Sequence, residues 1–125
     1  MRRALLCLAF AALGLVPVAA RAQAYPSKPV RLMVDTNHAY GRAEALRLGR
    51  ALAEFDLRWY EEPVAPEDRP GYVEMRRQLT MPIAGGENEH TLFGFAELLG
   101  TGCVDVAQPD IGSCGGLSAG RHIAA

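Results

Sequence analysis

Leu57-Arg58-Trp59-Tyr60-Glu61-Glu62-Pro63 decides how this sequence is read. Leu57 to Tyr60 is short, apolar and β-prone, and it runs straight into an acid, Glu61. Pro63 breaks the extended run, and a helical stretch follows from Pro66 to Leu79. Glu67 and Asp68 open that stretch, where negative charge meets the positive end of a helix dipole. Pro70-Gly71 interrupts its beginning, so the helix proper is expected to start near Pro70. The stretch is one unit: strand, acid, loop, helix.

The same unit recurs on both sides. Upstream, Val30 to Val34 ends on Asp35, and Gly41 to Phe55 carries Ala45, Leu48, Leu52 and Phe55 at helical spacing. Downstream, Pro82 to Gly85 is followed by Glu87. Thr91 is expected to cap a helix with Leu92, Phe95, Ala96 and Leu99 on one face. Val104 to Gln108 then leads to Asp110, and Gly115-Gly116 opens a last helix. Strands alternating with helices imply an α/β fold with a parallel sheet and right-handed crossovers. The acids at 35, 61, 87 and 110 are 26, 26 and 23 residues apart, about the length of a strand, a helix and two loops. Each is expected at the C-terminal end of a strand. In a TIM-type barrel those ends converge on one mouth, where active sites are built. The expected fold is a partial TIM (β/α) barrel of about four βα units. One acid at a strand end is commonly a loop residue or a helix cap; four in phase are harder to read that way.

Composition fits one domain at most: 125 residues, 50% hydrophobic and 22% charged. Arg2, Arg3 and Arg21 are three of thirteen basic groups, and no acid precedes residue 25. Beyond residue 24, ten basic groups therefore face fourteen acids, a net of −4. That balance argues against nucleic acid as a partner. Residues 1–24 read as a signal peptide. Arg2-Arg3 begins it, an apolar run from Ala4 to Ala20 follows, and Ala20-Arg21-Ala22 or Ala22-Gln23-Ala24 offers a cleavage site. The run is shorter than the roughly 20 apolar residues of a membrane span, so no stable span is expected after cleavage. Residues 25–32 form an extended, Pro-bounded lead-in, and residues 33–125 the barrel domain. A used leader implies a periplasmic or secreted location. The body carries only Cys103 and Cys114, set apart by an expected strand and so too distant for a disulfide. The body is cytoplasmic in character, which points to a chain of mixed origin.

Four motifs resemble a known family. Val34-Asp35-Thr36-Asn37 is similar to the VDxN motif that ends the third barrel strand of mandelate racemase/muconate lactonizing enzymes, a branch of the enolase superfamily. Trp59-Tyr60-Glu61-Glu62-Pro63 resembles their W-x-EEP motif, and Pro82-Ile83-Ala84-Gly85-Gly86-Glu87-Asn88-Glu89 their PIAxGE segment. Asp105-Val106-Ala107-Gln108-Pro109-Asp110, with Gly115-Gly116, resembles D-x-x-QPD…GG. All four stand in family order, and the GGENE form is most like the acid-sugar dehydratases. The resemblance implies barrel strands three to six, with Asp35, Glu61 and Glu87 as ligands of Mg²⁺. Three carboxylates in one mouth repel one another without a cation, and Mg²⁺ is a hard ion that takes carboxylate oxygens. The implied chemistry is removal of the proton α to a carboxylate of a small-molecule acid or sugar acid, with the metal stabilising the enediolate. Asn37 is implied as a donor to the substrate carboxylate, from the same face of an extended segment as Asp35; the equal alternative is an Asn that stabilises a turn. Asp110 is implied as the catalytic acid that orients a His. Trp59 reads as core and Glu62 as a polar contact at the barrel rim; His38 and Tyr40 read first as ordinary loop residues, with contact to a substrate the lesser alternative. His90 reads as a surface or capping group, and His122 as surface.

The sequence also departs from that family. Its base is a Lys in a K-x-K motif, whereas the one lysine here, Lys28, stands in the lead-in. The His partner of Asp110, the capping domain and the remaining strands have no counterpart, so the chain reads as a fragment inactive alone, with open strand edges that favour self-association. Residues 1–34, above all Ala22 to Arg31, resemble the start of periplasmic solute-binding receptors of the tripartite tricarboxylate transporter family. That is the alternative reading, although the ligand-binding loops of those receptors do not follow Val34.

Overall fold

The structure, a computed structural model, describes residues 26–125; the leader assigned to residues 1–24 lies outside them. The chain divides into two units between Val30 and Arg31. Of the first, residues 26–30 are described, and they are exposed coil.

The second unit, Arg31–Ala125, alternates strand and helix. Its strands are β1 (Val34–Asp35), β2 (Tyr60–Glu61), β3 (Ile83–Gly85) and β4 (Val106–Ala107); its helices are α1 (Arg42–Leu52), α2 (Arg69–Gln78), α3 (Thr91–Gly100) and α4 (Gly116–Ile123). A 3₁₀ turn, Ala53–Phe55, extends α1. The sheet order is β1-β2-β3-β4 and every pairing is parallel. Parallel neighbours need long crossovers, and each helix supplies one. The fold is α/β with a four-stranded parallel sheet, as expected of part of a barrel.

Strands are shorter than the sequence suggests, but the ladder continues past their ends. On the β1–β2 side, Arg58 N donates to Leu32 O at 2.7 Å, Thr36 N to Glu61 O at 3.1 Å and His38 N to Glu62 O at 2.8 Å. The core lies between sheet and helices. Tyr60 and Ile83 are register partners, both fully buried, and they join Ala45, Met75, Phe95 and Leu98 in one cluster. Side chains alternate along a strand, so the next residues face the other way. Asp35, Glu61 and Ala84 therefore share the opposite face, in register across three strands.

Two expected helix faces shift. In α1 the buried positions are Ala45, Leu46 and Gly49, and Phe55 is 53% exposed in the 3₁₀ turn. Gly49 lets α1 approach the end of α2: a Cβ there would stand 2.5 Å from Leu79 Cδ1. In α3 the buried residues are Phe95 and Leu98, while Leu92 and Leu99 are exposed. His90 is the residue before α3 and makes no side-chain cap; Thr91, with φ +71°, makes the capping contact expected of it, its Oγ1 accepting from Gly94 N at 3.4 Å. Cys103 and Cys114 are buried free thiols, as their separation implied.

Helix α2 begins as the sequence indicates. Asp68 is its N-cap, and its carboxylate accepts from Gly71 N at 3.1 Å and from Arg42 Nε at 2.7 Å. The Arg42 guanidinium, more than the Gly71 amide, holds the Asp68 carboxyl below the usual range. Asp68→Ala is expected to cost about 1 kcal/mol, the usual worth of a cap. A depressed folded-state pKa contributes stability above the ordinary carboxylate value of ~3.9, lost as pH falls below it. Urea midpoints of wild type and Asp68→Ala should therefore differ at neutral pH and converge in acid.

Candidate metal centre

Asp35 and Glu61 are neighbours in the β1–β2 register, on the face of the sheet opposite the core. Each is oriented by a local donor. Asn37 N donates to Asp35 Oδ1 at 2.8 Å, and the Trp59 indole Nε1 to Glu61 Oε2 at 2.8 Å. Trp59 thus differs from its expected core role: it stands two residues before Glu61, on the same face of the strand, and aims its carboxylate.

Glu87 lies two residues beyond β3, not at its last residue. Gly86 intervenes with φ +121°, a conformation open to glycine and strained for other residues, and a Cβ there would meet Phe95 at 3.0 Å. Glu87 is exposed, yet its carboxyl is held above the usual range. Nearby Glu62 contributes most, then partial desolvation, then Asp35 and Glu61. Glu87 therefore stands in the field of both other acids.

Does a divalent cation fit these residues? The donor set is all carboxylate oxygen, which suits a hard ion, and charge repulsion among the acids is what a cation relieves. Among the described residues, however, no three acid, His or Cys side chains are close enough to enclose one. The donors match in chemistry and in shared face; closing them round an ion requires side-chain movement.

Asp110 sits apart, three residues past β4. It is exposed, and its Oδ1 accepts from Gly112 N at 2.9 Å, shaping the turn into α4. Glycine or turn geometry after β3 and β4 thus breaks the common phase expected of the four acids. Asn37 is not on an extended segment either. Asn37 and His38 have φ +43° and +46°, a left-handed turn that Asn tolerates.

The least legible residue was Glu62. It is 1% exposed, with φ +44°. Its Oε2 meets His38 Nδ1 at 3.0 Å and its Oε1 accepts from Asn88 Nδ2 at 2.8 Å. Asp105 is a second: its Oδ2 accepts from Ile83 N at 2.9 Å and its Oδ1 from Arg76 Nε at 2.9 Å, tying β4 to β3 and α2. A groove of about 520 Å³ lies by α2 along Arg69, Val73 and Arg77, and its lining includes none of the four acids.

A family model described as enolase C-terminal domain-like matches residues 15–125. This chain belongs to that family. Among enolase-type relatives, it is 44% identical over 95 residues to D-galactarolactone cycloisomerase of Agrobacterium fabrum, covering 76% of this chain and 25% of that one. The structure of 3,6-anhydro-D-galactonate cycloisomerase from Zobellia galactanivorans matches with TM-score 0.74 and 50% identity, covering 76% of this chain and 27% of that one. L-talarate dehydratase from Polaromonas sp. JS666, complexed with Mg and L-glucarate, matches with TM-score 0.73 and 34% identity, over 76% and 27%. The chain spans about a quarter of the length of the relatives it matches. Magnesium is present in several of the matching enolase-type structures.

Proposed function

We propose that the chain is the metal-binding part of an enolase-type barrel, related to enzymes that act on acid sugars as dehydratases, cycloisomerases or racemases. Asp35, Glu61 and Glu87 are assigned as the Mg²⁺ ligands. The observation that carries the assignment is the register pairing of Asp35 with Glu61 on one face of the sheet; Glu87, raised most by Glu62, then by partial desolvation, also feels both of them. Mg²⁺, when bound, supplies positive charge to a substrate carboxylate. Asn37, beside Asp35, is assigned to hydrogen-bond the substrate, and Asp110 to orient a proton-transfer group. Neither assignment gives the chain a base of its own, so we read it as inactive alone. We also propose export, if the leader is used, and self-association through the open sheet edges. The solute-receptor alternative rests on residues 1–34 and gains nothing from the sheet.

Glu87→Gln tests the reading through two effects of opposite sign. Without metal, a group whose folded-state pKa is raised destabilises the fold once ionised. Removing its charge is therefore expected to raise stability in Mg²⁺-free buffer, by about 1 kcal/mol or less for so exposed a group. The stabilisation that Mg²⁺ gives wild type should at the same time be lost. Equal Mg²⁺ stabilisation of both proteins in thermal melts would remove Glu87 from the site.

A further inference from the structure

We propose that Glu62 is a positioning residue: its hydrogen bonds tie the segments after β1 and β3 to β2 and set the spacing of Asp35, Glu61 and Glu87. This rests on the reading of those three acids as a Mg²⁺ site. Burying a carboxylate is costly unless it is paired, and Glu62 is 1% exposed. Its side chain holds His38 Nδ1 at 3.0 Å and Asn88 Nδ2 at 2.8 Å. Its backbone extends the grip. Glu62 N donates to Ala84 O at 3.0 Å, and Glu62 O accepts from His38 N at 2.8 Å and Thr36 Oγ1 at 3.0 Å.

The positions of these contacts carry the argument. Glu62 directly follows Glu61, and Asn88 directly follows Glu87. Thr36 and His38 follow Asp35 by one and three residues. Each acid thus has a neighbour in the network, and the network crosses three strands that the side chains of the acids do not bridge themselves. An ionised carboxylate can only accept, so His38 must present Nδ1–H to it. The simpler account is that Glu62 acts on the site through charge alone, since it stands near Glu87. The two accounts make different predictions for the partners of Glu62.

The test is calorimetric titration of Mg²⁺ into the whole chain at pH 8. His38→Ala and Asn88→Ala keep the Glu62 charge and each remove one hydrogen bond. Both side chains lie at the rim, with His38 36% exposed, so the core is left intact. Each is expected to weaken binding about tenfold, the lower end for a residue that supports a metal ligand. Glu62→Gln loses the charge but offers an acceptor to Asn88 and a donor to His38, so it should stay within about threefold of wild type. Affinities unchanged in His38→Ala and Asn88→Ala, with a large loss in Glu62→Gln, would overturn the proposal in favour of charge alone. No Mg²⁺ heat in wild type would overturn the metal reading and this proposal with it. Long-range ¹H–¹⁵N NMR gives an independent check: wild-type His38 should be protonated at Nδ1, and an Nε2–H tautomer would mean the Glu62 bond is not made.

Discussion

Incubated in D₂O with Mg²⁺ and galactarate, rhamnonate or gluconate, the chain alone is expected to exchange no α-proton above buffer. Proton abstraction needs a base within about 3 Å of the α-carbon proton, and such a group contributes roughly 10²–10⁴-fold in rate. Lys28, the one lysine, stands in the Pro-bounded lead-in and in no K-x-K motif. His38 is tied through Nδ1 to Glu62, His90 stands at the N-cap of α3, and His122 is in α4. Asp110 spends one oxygen on the turn amide of Gly112, and among the described residues no His is hydrogen-bonded to it. A mouth open to water also weakens each charge interaction there. NMR of the substrate α-position decides the matter. Exchange that vanishes in Glu87→Gln would show that this part of a barrel carries the chemistry.

In sedimentation at micromolar concentration, the chain is expected to run as a dimer or larger species. Among the described residues, strands β1 and β4 each have one neighbour in the sheet, so two edges offer unpaired backbone groups. Large apolar residues are also exposed: Phe93 at 86%, Leu117 at 74% and Met33 at 59%. Exposed apolar surface of that kind favours association. Two copies placed with β4 beside the partner's β1 would give eight parallel strands, the number that closes a TIM-type barrel. A sharp monomer boundary together with a cooperative melt would contradict this.

Element type and order were legible because period and punctuation agree. Asp68 before Pro70 marked the start of α2, and the alternation of β-prone runs with helical stretches gave the parallel sheet. Helix faces were less legible. Thr91 to Gly100 is apolar nearly all round, so spacing alone could not separate Phe95 and Leu98, which are buried, from Leu92 and Leu99, which are not. Leu92 and Leu99 instead border a groove of about 330 Å³ with His122 and Ile123. The acids were legible as a set but not in phase, because Gly86 inserts a turn before Glu87. Glu62 was legible as a polar contact and makes two, but neither its burial nor its partners were legible, since those lie 24 and 26 residues away in sequence. Its one local signal was a second acid directly before a Pro.

The account stands on Asp35, Glu61 and Glu87 acting as one metal site. Glu61 is the central member, paired with Asp35 in the sheet and held by Trp59. The direct measurement is Mg²⁺ calorimetry on wild type and Glu61→Gln. Wild type is expected to bind weakly, because its acids must move to enclose the ion, and Glu61→Gln to lose at least about tenfold in affinity. Superimposable curves for the two proteins would contradict the account.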